Sequence, residues 1–459
     1  MRFRKPRNAL INGQAESFLM DTRSGSIIRS IDNADSDCVT YVLKTRENTH
    51  YCALLNKLDH PYRNALLQLS MALGLPVSIN ANCQRFIDVV SVGLKHTRLS
   101  ETSLFKWNLL NDVRTGLIVQ IDDADSLGTF GYILRCPDGS HYCAQMTSDD
   151  NRNRHMLMLM AFRSGLPVTI RASADYYVTG VSIGSRRFGP NLGCTAEPLG
   201  NTPRTGFIEE IIDTETCDTL GIVLKSVDGA RYHARLERRP DAEKLGLMIM
   251  AVGAGLPLTV YGNEYHYVTG LSIGTYLAEE TPPLICFSLR LTETRTGFLT
   301  RIIDYDTLDR VNYLLRAWDG RQYCVQMNAK ICPHRHHMLV RALAWGLPVS
   351  ITADVNSVVT GVAVGLPRAG SPSFHCGDDR HAGTKTGNVT RLIDANCAGD
   401  QPSYVLQTPD GMEWRVRTAA NADANRNALL EIALTSGLSV TVDDAGGRRS
   451  AGRLSVERR

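Results

Sequence analysis

The chain reads as a mainly β protein with helices, one β-β-β-α-β-β unit written five times in tandem, and three observations carry that reading. A basic residue, a hydroxyl residue and a glycine recur at Arg23-Ser24-Gly25, Arg114-Thr115-Gly116, Arg204-Thr205-Gly206, Arg295-Thr296-Gly297 and Lys385-Thr386-Gly387, with successive glycines 91, 90, 91 and 90 residues apart. Gly-Leu-Pro keeps the same step at Gly74, Gly165, Gly255 and Gly346, and the fifth copy reads Gly437-Leu438-Ser439. An Asp-Gly pair falls between two short apolar runs at Asp138-Gly139, Asp228-Gly229, Asp319-Gly320 and Asp410-Gly411, while the first copy has Glu47-Asn48. A fixed period along the whole chain marks a repeat architecture. The 459 residues therefore divide into a basic N-terminal segment at 1–20 and five units at 21–110, 111–200, 201–291, 292–381 and 382–459, rather than about three domains of ordinary size.

The second copy shows each element in order. Gly116 to Asp122 is an aliphatic run that reads as strand one. Tyr132 to Cys136 and Ser140 to Met146 flank Pro137-Asp138-Gly139, which predicts a tight hairpin between strands two and three. Taken as a two-residue turn, Asp-Gly pairs Arg135 with Tyr142 and Ile133 with Ala144. Asn151 to Ser164, rich in Met and Leu, is stopped by Gly165 and Pro167, as expected of a helix of about three turns. Leu166 to Ala172 and Tyr177 to Gly184 supply strands four and five, and the Tyr-Val-Thr-Gly pattern of the latter returns at Tyr267 and, with Val358, in the fourth copy.

Five strands with a helix between the third and fourth is the order of an OB-fold, a small Greek-key barrel plugged by the helix. The second strand is apolar on both faces in every copy, with Leu43, Leu134, Leu224, Leu315 and Leu406 beside Val42, Ile133, Val223, Leu314 and Val405; such a strand is covered on both sides. Leu245, Leu247, Met248, Ile249, Met250, Ala251 and Val252 run around the helix axis, so this element is expected to be buried nearly all round. Both patterns predict units packed on one another rather than beads on linkers.

Composition excludes several classes. Fifty Lys plus Arg against 47 Asp plus Glu leave a formal charge of +3, which by itself announces neither nucleic acid nor a membrane surface. No apolar run is long enough to cross a membrane as a helix. The basic start Met1 to Arg7 is followed by no continuous apolar stretch, so a classical signal peptide is not expected. Twelve cysteines without a Cys-x-x-Cys pair read as thiols of a reducing compartment. Cytoplasmic residence is the expectation, with export by an unclassical route as the alternative.

The strand, Asp-Gly hairpin, strand-three aromatic, helix, Gly-Leu-Pro-Val-Thr-Ile strand and Tyr-Val-Thr-Gly-Val-Ser-Ile-Gly strand together resemble the OB-fold receptor-binding B subunits of cholera-type bacterial toxins. The resemblance spans about Arg23 to Val456. It implies units arranged five to a ring with helices around the axis, here a monomer with internal five-fold pseudo-symmetry, and recognition of a glycan or other cell-surface ligand. The chain departs from that family in having no cysteine common to all five copies and almost wholly apolar helices. Its divergent first and fifth copies suit either the seam of a closed pseudo-pentameric ring or the caps of an open array.

Candidate site residues recur with the unit. An Asp ends strand one at Asp32, Asp122, Asp213, Asp304 and Asp394, where a side chain that caps a turn is the expected role. A basic residue near the helix start, Arg63, Arg154, Lys244, Arg335 and Arg426, forms in a five-fold arrangement a cationic ring that holds an anion or pairs with a neighbour's carboxylate, or else is solvated or paired intramolecularly. The strand-three aromatics Tyr51, Tyr142, Tyr232, Tyr323 and Trp414 offer stacking surfaces for a sugar or a base, or fill the core with a hydroxyl at the rim. Tyr41, Tyr132, Tyr313 and Tyr404 on strand two, replaced by Ile222 in the third copy, are placed by the assumed turn on the opposite hairpin face. Cys332-Pro333-His334-Arg335-His336-His337 is the one His cluster, with a spacing that fits no standard zinc site. Cys52, Cys143 and Cys324 share a position held by His233 and Arg415 elsewhere, which argues against a common nucleophile.

With no phosphate-binding loop, nucleophile elbow or zinc-helix motif, no enzyme, cofactor or metal is expected. The expected function is non-enzymatic multivalent binding or scaffolding directed at a glycan or protein ligand. Two alternatives accompany it: single-stranded nucleic-acid binding along tandem OB faces and a protein-assembly platform.

Overall fold

A computed structural model describes residues 17–33, 36–93, 107–124, 129–147, 152–184, 196–214, 219–237, 242–275, 289–305, 310–365, 383–394, 403–417, 424–444 and 453–458. Most of the N-terminal segment and the connector cysteines Cys194, Cys286 and Cys376 lie outside these residues. The protein is mainly β, and the β-β-β-α-β-β order recurs five times. Each helix spans 13 residues: α1 (Pro61–Leu73), α2 (Arg152–Ser164), α3 (Ala242–Ala254), α4 (Pro333–Trp345) and α5 (Ala424–Ser436).

The Gly-Leu-Pro marker is a helix stop. Gly74, Gly165, Gly255, Gly346 and Gly437 have φ between 61° and 66°, and the following leucine amide reaches five residues back, as from Leu75 to the Ser70 carbonyl at 3.0 Å and from Leu347 to Ala342 at 2.9 Å. This is the Schellman pattern, in which a residue without a Cβ takes the left-handed position and the next amides satisfy orphan carbonyls. The proline then opens strand four, as in Pro76–Ala81 and Pro348–Ala353.

The Asp-Gly hairpins differ by one residue from the sequence expectation. The Gly139 amide donates to the Cys136 carbonyl at 3.0 Å, that of Cys136 to Ser140 at 2.9 Å, and Gly139 has φ 83°. This is a type I turn followed by a left-handed residue, a three-residue loop. The register moves accordingly: Tyr142 lies opposite Leu134, and Ala144 opposite Tyr132. Tyr132 and Tyr142 therefore share one face of the hairpin, correcting the opposite-face placement. Asn48 at φ 62° takes the glycine's position in the first copy, a conformation that asparagine tolerates better than most side chains. The turn aspartates accept nearby amides, as Asp138 does from Ser140 at 2.9 Å and Asp228 from Ala230 at 3.0 Å.

Strand one is longer than expected and serves two partners. In the first copy it runs Thr22–Asn33, with a register shift between Ile27 and Arg29. Equivalent shifts fall at Ile118/Gln120, Ile208/Glu210, Leu299/Arg301 and Val389/Arg391. A bulge bends a strand and increases its twist. Before it, strand one pairs with strand four of its own copy, as Gly25 does with Val77. After it, the strand pairs antiparallel with strand five of the preceding copy: Val90 with Asp123, Val181 with Asp213, Leu271 with Asp304 and Val362 with Asp394.

The same pairing joins the chain's ends. Strand Arg453–Glu457 lies antiparallel to the first copy's strand one, with Leu454 opposite Asp32 and Glu457 opposite Arg29. The sheet is thus one closed, ring-like structure. Within each of the first four copies an isolated parallel bridge also links strands three and five, at Leu54–Phe86, Gln145–Tyr177, Arg235–Tyr267 and Gln326–Val358. Sequence reading missed a short leading strand, such as Ser17–Phe18 or Asn108–Leu109, parallel to strand three. After it a leucine is sealed in the core: Leu19, Leu110, Leu199 and Leu291 are at most 1% exposed.

The helices follow the same circuit. The α1 and α2 helices meet where the Tyr62 ring packs on His155 at 5.0 Å, α2 packs on α3 and α3 on α4, α4 and α5 are joined by Arg341–Glu431, and α5 meets α1 through Asn425 and Asn64 at 2.6 Å. They are not buried all round. One stripe at helical spacing stays open, with Leu69 and Leu73 in α1, Met156 and Met160 in α2, and Arg341 and Trp345 in α4 half-buried or exposed. No helix among the described residues is long and apolar enough to cross a membrane.

Candidate functional site

Each residue of the basic-hydroxyl-glycine marker has its own task. The glycine sits where strand one passes close to strand two; a Cβ built on Gly25 would run into the Lys44 carbonyl, and one on Gly297 into that of Arg316. The hydroxyl bonds its counterpart on strand four: Thr115 with Thr169 at 2.7 Å, Thr205 with Thr259 at 2.8 Å and Thr296 with Ser350 at 2.7 Å. The basic side chain lies over the strand-three aromatic. Distances to the ring centroid are 5.4 Å for Arg23 on Tyr51, 4.9 Å for Arg114 on Tyr142, 4.5 Å for Arg204 on Tyr232, 5.8 Å for Arg295 on Tyr323 and 4.2 Å for Lys385 on Trp414.

Five cation-aromatic pairs therefore recur at one position of the unit. Such a pair gains about 0.5–1 kcal/mol at an exposed site. Tyr51, Tyr142 and Trp414 are half-buried, and Tyr232 and Tyr323 are buried to 8% and 6% exposure. The cations remain open, with the side chains of Arg23, Arg114 and Arg295 at 45%, 41% and 38% exposure, each beside an acidic residue two positions earlier. Sequence reading found both the aromatics and the marker but did not connect them, because the cation and ring come from strands separated by about 28 residues.

The helix residues Arg63, Arg154, Lys244, Arg335 and Arg426 are at most 5% exposed. Burial rules out the solvated role, and for Arg63, Arg154, Arg335 and Arg426 the geometry provides pairing with a carboxylate of another copy. Arg63 makes two bonds to Asp123 of the next copy, Nη2 to Oδ1 at 2.9 Å and Nε to Oδ2 at 3.2 Å, and donates Nη1 to the Ile87 carbonyl of its own strand five at 2.9 Å. Arg154 reaches Asp213 and Arg335 reaches Asp394, both at 3.2 Å. Arg426 lies 3.7 Å from Asp32 across the chain's ends, where Lys57 also donates to Asp32 at 2.9 Å. These contacts tie α1, α2 and α4 both to strand five of their own copy and to strand one of the next.

The second copy corrects one assignment. The residue equivalent to Asp32 is Asp123, seven residues after the marker glycine, and not Asp122. Asp122 faces elsewhere, accepts from Gln120 at 2.8 Å, and has its carboxyl pushed above the usual range by burial. For Asp32, Asp213 and Asp394 the expected turn-capping role is replaced by the ion pair.

The strand-two tyrosines are core residues with bonded hydroxyls. Tyr313 pairs with His336 Nδ1 at 2.6 Å, Tyr404 donates to Asn427 Oδ1 at 3.3 Å, Tyr41 bonds Asn64 and Tyr132 bonds His155. Where Ile222 replaces the tyrosine, Leu245 replaces the partner, and both are buried. Burial drives the His155 and His336 rings down to about 4. The Cys332–His337 cluster disperses, since Arg335 and His336 are engaged as above. Among the described residues no group of three or more His, Cys, Asp or Glu is placed to hold a metal ion.

Cys143 is fully buried, and its thiol is pushed up to about 12 by burial and then by the Asp122 charge, which removes the thiolate needed for nucleophilic chemistry. Cys324 is disulfide-bonded, so the expectation of thiols throughout fails at that position. No family model matches this chain, and no curated protein matches it; its function is read from the geometry.

Proposed function

We propose that the chain is a non-enzymatic, multivalent binding platform: five OB-like units closed into a pseudo-pentameric ring that recognises a glycan on a repeated surface. The observation that carries this reading is the pairing of Arg453–Glu457 with the first strand one, which brings the last copy back against the first. In each copy the partly exposed cation-aromatic pair, Arg114 on Tyr142 for example, presents a ring edge and a charge to a sugar. Individually weak sites held together in this way gain avidity of about 10²–10⁴ on a polyvalent surface. The test is binding to immobilised glycans at high and low density. Density-dependent retention, reduced stepwise by Tyr51→Ala, Tyr142→Ala and Trp414→Ala, supports the reading. Equal, density-independent signals or no retained glycan overturn it.

A second reading, a protein-assembly platform, draws on the open helix stripe, where Leu73, Met156 and Trp345 are 38%, 37% and 38% exposed. It predicts that Leu73→Ser and Met156→Ser abolish partner capture while leaving glycan retention unchanged. Loss of glycan retention in those variants counts against it.

A further inference from the structure

The loop between strands four and five holds a non-glycine residue in the left-handed region in four copies: Arg85 at φ 74°, Tyr176 at 70°, His266 at 66° and Ser357 at 62°. Such a conformation costs on the order of 1–3 kcal/mol and persists only where surrounding contacts impose it. Here the carbonyl of that residue is fixed by strand three, accepting from Leu54, Gln145, Arg235 and Gln326 at 2.8–2.9 Å. In the first and third copies the side chain is directed toward the leading segment. In the first copy the Arg85 guanidinium lies 3.5 Å from the Phe18 ring centroid. In the third copy the residue is a histidine, and His233 on strand three stands beside it with ring centroids 5.9 Å apart.

The two rings are held alike. His233 Nδ1 lies 2.9 Å from the Ala196 carbonyl oxygen, and His266 Nδ1 lies 2.9 Å from that of Leu199. A carbonyl only accepts, so each Nδ1 carries the proton and each neutral ring keeps its lone pair on Nε2. The carbonyls flank the short strand Glu197–Pro198, so both Nε2 atoms turn away from the same backbone. Both residues are half-buried. An imidazole whose Nδ1–H is tied to a backbone carbonyl is the arrangement that orients a metal-binding histidine. With Zn–N bonds of about 2.0–2.1 Å, ring centroids 5.9 Å apart fall within the span that two imidazoles on one ion can cover.

We propose that His233 and His266 form a two-imidazole site for a divalent transition-metal ion of the zinc or copper class, completed by water. The pair occurs in the third copy: the same two positions hold Cys52 and Arg85, Cys143 and Tyr176, and Cys324 and Ser357 in the first, second and fourth, and Arg415 stands in place of His233 in the fifth. A bound ion would staple the leading strand and the strained loop to strand three.

The test uses the full chain and Zn²⁺ alone, read by long-range ¹H–¹⁵N spectra of the imidazoles. His233→Gln and His266→Asn, the latter chosen because asparagine tolerates the left-handed backbone, assign the two signals. The expected result is that both Nε2 resonances shift together on addition of Zn²⁺ while both Nδ1 remain protonated, and that each variant loses the Zn²⁺-dependent rise in unfolding temperature. Nε2 resonances that stay in place in excess Zn²⁺, a shift in only one ring, or variants that retain the full thermal response overturn the proposal. Because the wild-type spectra decide the matter, a poorly folding variant does not leave it open.

Discussion

Arg63 on α1 of the first copy and Asp123 on strand one of the second are joined by two hydrogen bonds, at 2.9 and 3.2 Å, although 60 residues separate them. The guanidinium is 2% exposed and also holds the Ile87 carbonyl, so one side chain fastens the strand pairing from which the ring is built.

Removing one member of such a pair leaves a buried charge, which costs about 3–5 kcal/mol, whereas replacing both with apolar groups costs much less. Asp123→Leu is expected to lower stability by that amount, and Arg63→Met combined with Asp123→Leu to recover most of it. Urea unfolding of the two singles and the double measures the coupling; strictly additive losses contradict it.

The third copy shows how a buried polar pair is exchanged. Tyr132→Ile alone leaves His155 without its hydrogen bond, at an expected cost of about 1–3 kcal/mol. Adding His155→Leu, following Ile222 and Leu245, is expected to return part of that loss. Thermal unfolding of single and double variants decides, and a double less stable than the sum of the singles counts against the exchange.

Stability is expected to fall in mild acid. The His155 and His336 rings are driven down to about 4 by burial, so the unfolded chain binds protons that the folded one refuses. Their contribution is complete above the ordinary value near 6.5 and is lost as pH falls toward 4, on the order of 2–3 kcal/mol for each ring. Asp122 and Glu210, both raised chiefly by burial, act with the opposite sign and offset part of the loss. Urea midpoints between pH 7.5 and 4.5, compared with those of the Tyr132→Ile/His155→Leu double, measure the effect; identical slopes refute it.

Gly116→Ala is expected to be destabilising by about 1–3 kcal/mol, because its Cβ meets the Arg135 carbonyl, which belongs to backbone. Gly246→Ala on α3, where nothing lies within reach of the added carbon, is expected to be neutral or stabilising by up to about 1 kcal/mol. Equal effects in thermal unfolding contradict the close approach of strands one and two.

By itself the sequence determined the period, the order of five strands and one helix in each copy, the positions of the turns and the helix stops, because glycine, proline and aspartate act through their own backbone and near neighbours; the leading strand, which has no such marker, it did not show. It also supplied the five helix cations and five strand-three aromatics. The tertiary structure alone decided the one-residue register of each hairpin, which Gly139 sets by taking φ 83°; the assignment of Asp123 in place of Asp122; and the open stripe on the helices. It also decided the partners: Arg114 covers Tyr142 within its copy, whereas Arg63 turns to the next copy and Arg426 to Asp32 at the far end of the chain. The two sets of cations look alike in sequence, and only burial separates them. A charge removed from water must find a carboxylate, and which carboxylate is near depends on how the last strand closes on the first.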